Sequence, residues 1–530
     1  MTKTFYVTTP IYYVNDVPHI GHAYTSLACD VLARFMRLDG CDVHFLTGTD
    51  EHGQKVEKSA ALKGVAPQAF TDSVSQHFRD LTKKMQFSNN DFIRTTEARH
   101  KKGAQAFWKR LEENGYIYLD KYAGWYSVRD EAFYMEDDLV DGNAPTGAPV
   151  EWVEEESYFF KLSAFQDILL KFYEDNPEFI LPKSRYNEVV SFVKGGLKDL
   201  SISRTTFKWG IPVPGNEKHV MYVWLDALTN YMTALGYPDE NSELYKKFWV
   251  DGEISPIHVV GKDILRFHAV YWPAFLMAAK LPLPKRIMAH GWWTNEGQKI
   301  SKSIGNVIDP VALVDEFGLD QVRYFLMREV PFGNDGNYSR EGMINRINSD
   351  LANNVGNLAQ RTLSMIQKNC EGKVPEWNPE VDDRATDMGL MKKGYNRLED
   401  MEIPEEVYEA MSVQKFDTAL AAILKLADLA NLYIDAQAPW KLKKENPQRM
   451  AEVLYTLAET IRCIGILLQP FIPQSAAKML DQLAIPQNER LLVHLTPEFA
   501  LKPGTSLPEP QGVFPRYVEP EGEPAKSKVG

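Results

Sequence analysis

Cysteine is scarce in this 530-residue chain, which has four in all, at Cys29, Cys41, Cys370 and Cys463. They are too few and too scattered for a disulfide framework. No two stand in a Cys-x-x-Cys pair, which excludes a zinc knuckle built on paired thiolates. Such usage suits a reducing compartment. Positive charge is also short: 59 Lys and Arg face 72 Asp and Glu, a net charge of −13. A balance of that sign opposes coating of nucleic acid or anionic lipid, so nucleic-acid contact must come from a local basic patch. No apolar run approaches the roughly 18 residues of a membrane span. The opening segment MTKTFYVTTPIYYVN has neither a basic-then-apolar leader nor an Arg/Ser-rich amphipathic one, so a cytoplasmic location is expected. Also missing is a G-x-G-x-x-G fingerprint after the first strand, which disfavours ordinary NAD or FAD binding.

What remains is globular. Hydrophobic residues at 44% and charged residues at 25% exclude disorder and fibre, and the length implies about three or four domains. TFYVTT (4–9) is β-branched and aromatic and predicts a short buried strand. From Ala23 to Leu38 the positions Leu27, Val31, Leu32, Phe35, Met36 and Leu38 keep helical spacing, with Gly40 as the stop. DVHFLTG (42–48) predicts a second strand, completing a βαβ unit of a doubly wound parallel sheet. IHVVGK (257–262) predicts a later strand, followed by a helix near 264–279. Between 117 and 210 crowded aromatics, a turn-rich DGNAPTGAP and an acidic run from Glu154 to Glu156 mark an inserted subdomain. Beyond about 340 the pattern turns helical, most clearly over 416–436 and 449–468. Six prolines fall within 502–530, which predicts a flexible tail.

Two constellations carry chemistry. Pro18-His19-Ile20-Gly21-His22 ends the loop before the first helix. Free backbone N–H groups and the positive end of the helix dipole make that spot an anion site. Gly21 allows close backbone approach, and the imidazoles offer donors to phosphate oxygens. Taken alone, the pair reads equally well as a capping turn with two exposed histidines. Zinc is a weaker reading, because no third ligand follows at a familiar spacing. Far downstream, Gly297-Gln298-Lys299-Ile300-Ser301-Lys302-Ser303-Ile304-Gly305-Asn306 sets two lysines around hydroxyls between glycines. Such a loop suits closure over polyphosphate, with lysine as a point charge on a leaving pyrophosphate. Alone, it is more often a solvated polar loop.

Together, in this order and on either side of a parallel-sheet domain, His19-Ile20-Gly21-His22 and Lys299-Ile300-Ser301-Lys302-Ser303 resemble the signatures of class I aminoacyl-tRNA synthetases, with Ile300 at the usual Met. TTPIYYVNDVPHIGHAYT (8–25), FLTGTDEHGQK (45–55), MYVWLDALTNY (221–231), VVGKDILRFHAVYWPAF (259–275), DLANNVGNLAQR (350–361) and QAPW (437–440) are similar to the methionyl-tRNA synthetase family up to about residue 500. The resemblance implies a Rossmann-like, doubly wound α/β catalytic domain split into 1–116 and 211–295 by a connective subdomain at 117–210. A lysine–serine loop and stem-contact region (296–340), an all-α helical-bundle anticodon-binding domain (341–500) and a proline-rich tail (501–530) follow.

By the same resemblance, ATP is held by His19, Gly21, His22, Lys299, Ser301, Lys302 and Ser303. His19 and His22 act on its phosphates and the transition state, and Lys302 with Lys299 on the β/γ-phosphates. Mg²⁺ accompanies ATP. Ile11, Tyr13, Trp224, Ala227, Leu228, Tyr231, Ile264, His268 and Trp272 line an apolar methionine pocket, and Asp50 holds the ammonium. Leu228 stands where some relatives have Pro. Homocysteine is expected to be rejected within that site, since 117–210 is too short for a large editing insertion. Asn353, Asn357, Arg361 and Trp440 match anticodon-reading positions, with Lys441, Lys443 and Lys444 as a local basic patch. The expected partner is tRNA(Met), initiator included, and no membrane. The chain departs from zinc-carrying relatives in GWYSVRDEAFY (124–134), where Ser127 and Asp130 stand at one Cys-pair spacing. No zinc is expected, and a monomer is the expected state.

Overall fold

The computed structural model describes residues 3–14, 17–130, 132–300, 305–377, 385–395 and 403–519. Strand Thr4–Thr8 sits inside a seven-stranded sheet, between Asp42–Asp50 and Ile257–Gly261 and parallel to both. Asp91–Arg94 lies on the far side of Asp42–Asp50, while Tyr12–Tyr13 pairs with its end on the same side as Thr4–Thr8. Arg286–His290 and then Ile180–Leu181 extend the sheet beyond Ile257–Gly261. Phe5, Tyr6 and Val7 are all buried, as a strand covered on both faces requires. The chain leaves the central strand in both directions, so a crevice opens at the carboxyl ends of its neighbours, where ligands bind in open α/β sheets. Helix Ile20–Leu38 starts at that crevice, three residues before its expected start.

Strands Ile117–Ser127, Ala132–Tyr134, Glu151–Phe160 and Leu200–Ser201 form a separate antiparallel sheet. The inserted segment is not self-contained, however. Ile180–Leu181, inside the expected 117–210 insert, joins the edge of the parallel sheet beside Ile287 and Met288. Leu169, Tyr173 and Phe179 share one core with Leu228, Tyr231 and Trp272. Apolar burial, not chain order, draws this boundary.

The helix expected at 264–279 is present and continuous from the short turn Lys262–Ile264 onward, but it carries one wide π-turn at Phe267–Tyr271 before Trp272–Ala279. Pro273 is the physical reason, because it has no N–H to bond the carbonyl four residues back. That carbonyl, of Ala269, accepts instead from the Tyr173 hydroxyl at 2.6 Å.

Helices Phe416–Gln437 and Pro447–Leu468 dominate the C-terminal region. Its core runs without a break into that of helix Ile20–Leu38. Buried Arg323 bridges the two, with Nη2 2.7 Å from Asp30 and Nε donating to the Phe471 carbonyl at 2.9 Å.

The flexible tail expected from Leu501 is not found over 501–519. Leu501, Leu507, Val513 and Phe514 are buried, Val374 N–H bonds the Thr505 carbonyl, and Asn348 clasps the Tyr517 backbone on both sides. Proline removes donors without removing apolar side chains, so a proline-rich strap can still pack. The rest of the expected tail lies outside the described residues.

Candidate active site

His19 caps helix Ile20–Leu38 with its own ring: Gly21 N–H donates to His19 Nδ1 at 3.1 Å, and His19 N–H donates to His22 Nδ1 at 3.1 Å. An Nδ1 that accepts carries no proton, so each neutral ring holds its proton on Nε2. Two Nε2–H donors thus sit side by side, ring centroids 3.9 Å apart, at a helix N-terminus. Burial lowers the pKa of both, His22 well below the ordinary value, which keeps them neutral. A Cβ on Gly21 would lie 2.9 Å from His19 Cε1, so glycine is what lets the cap close. The Tyr12 ring stands edge-on to His22 at 4.8 Å, its hydroxyl donating to the His22 carbonyl at 3.1 Å.

These histidines open into a cavity of about 520 Å³. Its walls bring together His19, Gly21, His22 and Lys299 with Ile11, Tyr13, Asp50, Trp224, Ala227, Leu228, Tyr231, Ile264 and His268, although these residues span some 290 positions of chain. Trp272 is the exception among the expected wall residues. Its indole is fully buried behind Tyr231, 6.1 Å between centroids, and packs on Phe107 and Trp249, so it backs the pocket without lining it. Ser301, Lys302 and Ser303 lie outside the described residues.

The apolar part of the cavity is neutral and oriented. His268 Nδ1–H donates to the Ile264 carbonyl at 3.0 Å, leaving Nε2 to accept from the Tyr231 hydroxyl at 2.7 Å. Burial drives the His268 pKa down to about 4, with the Ile264 bond only partly opposing it. Trp224 stacks flat on Phe267, the first residue of the π-turn, at 3.7 Å between ring centroids. Asp50, at the end of its strand and almost wholly buried, supplies the pocket's carboxylate.

Several wall residues were not singled out in the sequence. Lys55, Asp263, His290, Trp292 and Asp335 face the cavity, as does Arg129 from the insert, beside Asp130, which the sequence marked only as a departure from a cysteine pair. Lys262 pairs with both Asp335 oxygens at 2.7 Å and stands 4.3 Å from the Trp292 ring centroid, while Lys299 stands 5.8 Å from the same centroid. Lys55 and Asp263 fall inside the quoted similar segments, a signal that was available. Arg129 and Asp130 reach the cavity only through the insert's fold, which no local pattern announces.

At the Ser127–Asp130 turn, Ser127 Oγ accepts from Asp130 N–H at 3.2 Å. The Asp130 carboxylate accepts from Tyr134 at 3.1 Å and from the Thr146 hydroxyl. A hydroxyl and one carboxylate, with no thiolate or imidazole beside them among the described residues, are a poor donor set for zinc. Among the described residues no group of three or more His, Cys, Asp or Glu converges as metal ligands.

In the helical region Asn353, Asn357 and Arg361 succeed one another at four-residue spacing, with both asparagines exposed. The Arg361 guanidinium lies 5.4 Å from the centroid of half-exposed Trp440 and 3.1 Å from Asp435.

Paired imidazole donors at a helix N-terminus and an apolar wall beside a buried carboxylate share one crevice of a parallel sheet, which is the architecture of a class I aminoacyl-tRNA synthetase. Comparison with known proteins agrees. The family model for class I tRNA synthetases (M) matches residues 5–150 and 146–363, and that for the anticodon binding domain of methionyl tRNA ligase matches 384–528. The methionine–tRNA ligase of Rickettsia felis is 61% identical over 518 residues, 98% of this chain and 99% of that one. That of Mesorhizobium japonicum is 56% identical over 525 residues, with 98% and 99% covered. Mycobacterium tuberculosis methionyl-tRNA synthetase in complex with methionyl-adenylate superposes with a TM-score of 0.92 at 50% identity, covering 97% of this chain and all of that one. The chain belongs to the methionyl-tRNA synthetase family and is a methionine–tRNA ligase.

Proposed function

We propose that the crevice divides the reaction between the residues described. Asp50 takes the methionine ammonium as a charge-assisted pair. Tyr231, His268, Trp224, Ala227, Leu228, Ile264, Ile11 and Tyr13 enclose the thioether, each sulfur–aromatic contact contributing about 0.3–1.5 kcal/mol. ATP enters as its Mg²⁺ complex, the metal riding on the phosphates. The methionine carboxylate attacks the α-phosphorus: a carboxylate O–P bond forms, the bond to the bridging oxygen breaks, and pyrophosphate leaves. The His19 and His22 Nε2–H groups stabilise charge on the phosphates as it develops, and Lys302 with Lys299 takes the departing β/γ-phosphates. A terminal ribose hydroxyl of tRNA, the 2′-OH first, then attacks the adenylate carbonyl and releases AMP.

Apolar fit discriminates one methylene by only about 1–3 kcal/mol. Homocysteine rejection is therefore assigned to this same pocket. Asn353, Asn357, Arg361 and Trp440 read the anticodon of tRNA(Met), initiator and elongator alike, by stacking and hydrogen bonds on splayed bases. Lys441, Lys443 and Lys444 beside them counter the chain's net negative charge. The insert works without zinc, and the enzyme acts as a cytoplasmic monomer.

The observation that carries these assignments is the paired Nε2–H tautomer of His19 and His22 above a pocket with its own carboxylate. Single-turnover formation of methionyl-adenylate tests it. His22→Ala is expected to slow that step by about 10²–10³-fold, the size of one lost oxyanion-type donor, while methionine affinity holds. Equal rates would overturn it.

A further inference from the structure

Helix Val223–Thr233 is buried at every position but Trp224, and its two faces differ. Trp224, Ala227, Leu228 and Tyr231 face the methionine pocket. Asp226, Asn230 and Thr233 lie on the opposite face at helical spacing. Asp226 is completely buried. Its Oδ2 accepts from His52 Nδ1 at 2.6 Å and its Oδ1 from His100 Nε2 at 2.7 Å, while His100 Nδ1 bonds the Thr233 hydroxyl at 2.9 Å on the same helix. Burial alone would raise the Asp226 pKa, but the two imidazoles outweigh it and hold the carboxylate at about 2.

His52 stands two residues past Asp50, in the turn that follows the Asp50 strand. That turn is fixed from outside as well: Gly53 N–H bonds the Trp209 carbonyl at 2.9 Å, and the Trp209 indole N–H bonds the Glu51 carbonyl at 2.5 Å. His100 comes from helix Ala98–Glu113, which lies so close that a Cβ on Gly103 would sit 2.2 Å from Thr233 Cγ2. One carboxylate therefore ties three pieces of chain together: the end of the ammonium strand, the helix walling the thioether, and the helix behind it.

We infer that Asp226 is a positioning residue for methionine, setting the distance between the Asp50 carboxylate and the Trp224–Tyr231 wall through its paired bonds to His52 and His100. This rests on the pocket assignment above. A buried doubly bonded carboxylate resists displacement, because moving either imidazole leaves a buried charge short of a partner. Affinity for methionine depends on that distance. The nucleotide half of the crevice, held by the His19 cap, does not.

Methionine-dependent ATP–pyrophosphate exchange tests this, with both KM values measured. Asp226→Asn keeps shape and turns one acceptor into a donor facing a donor. It is expected to raise KM for methionine by about ten-fold, the loss of one charge-assisted hydrogen bond, and to leave KM for ATP within about two-fold. Selectivity for methionine over homocysteine should narrow in parallel. Should that variant fail to fold, His100→Leu, which breaks one of the two bonds, is expected to give a smaller shift in the same direction. A lower melting temperature with both KM values unchanged would reduce the cluster to scaffolding and overturn the inference. Asp50→Asn, measured alongside, separates the two claims: an unchanged methionine KM there would overturn the pocket assignment itself.

Discussion

The Tyr231 hydroxyl donates to His268 Nε2 across 2.7 Å, and this bond fixes the buried neutral imidazole as part of the cavity wall. Tyr231→Phe leaves Nε2 as a buried acceptor without its donor, a loss of about 1–3 kcal/mol. The expected outcome is a lower melting temperature and a raised methionine KM with the ATP KM unchanged, read by thermal unfolding and pyrophosphate exchange.

A pH dependence follows from the same group. The folded His268 pKa of about 4 lies below the ordinary 6.5, so between those values the unfolded chain binds a proton that the native chain refuses. Its contribution is fully present above pH 6.5 and is lost as pH falls toward 4, up to about 3 kcal/mol. His19, His22, His258 and His290, all lowered first by burial, act in the same direction. Denaturant midpoints should fall steadily from pH 7 to pH 5. A flat profile would contradict the neutral-imidazole account.

Substitutions at the proposed anticodon residues are expected to leave adenylation untouched. Trp440→Ala and Arg361→Ala should each raise the KM for tRNA(Met) about ten-fold or more, since stacking one base on an aromatic contributes about 1–3 kcal/mol. Pyrophosphate exchange without tRNA should not change. Aminoacylation assays with and without tRNA titration check both halves.

The strap at 501–519 predicts a structural cost for shortening the chain. Leu501 N–H bonds Glu459 Oε2 at 2.9 Å, Tyr455 donates to the Leu501 carbonyl at 2.9 Å, and Arg340 pairs with Glu519. Each buried apolar side chain contributes about 1.5–3 kcal/mol. A chain ended at residue 500 should melt several degrees lower and bind an apolar dye that the full chain does not. Identical melting curves would show the strap to be idle.

Metal removal gives a further check. Because Ser127 and Asp130 are a poor donor set for zinc, dialysis against a zinc chelator should leave the melting curve unchanged once Mg²⁺ is restored. A lowered curve recovered by added zinc would contradict the turn's assignment.

The parts legible in the sequence are those that local chemistry dictates. The 4–9 run, the Leu27–Leu38 periodicity and the histidines before it announced a strand, a helix and its cap. The illegible parts depend on distant partners. Trp272 reads as a wall residue until Tyr231 is seen to stand between its fully buried indole and the cavity. Ile180–Leu181 is too short for any periodic signal and becomes a strand only because Met288 lies beside it. Phe514 and Tyr517 sit in a proline-rich stretch whose composition suggested disorder, and only the surface beneath them shows otherwise. Arg129 enters the cavity from a turn whose reach is set by the whole insert.

The most direct test is ATP–pyrophosphate exchange against all twenty amino acids, without tRNA, with zinc chelator present and Mg²⁺ restored. Exchange with methionine alone, undiminished by the chelator, is the predicted result. Exchange with another amino acid, or none with methionine in folded protein, would contradict the assignment of this crevice.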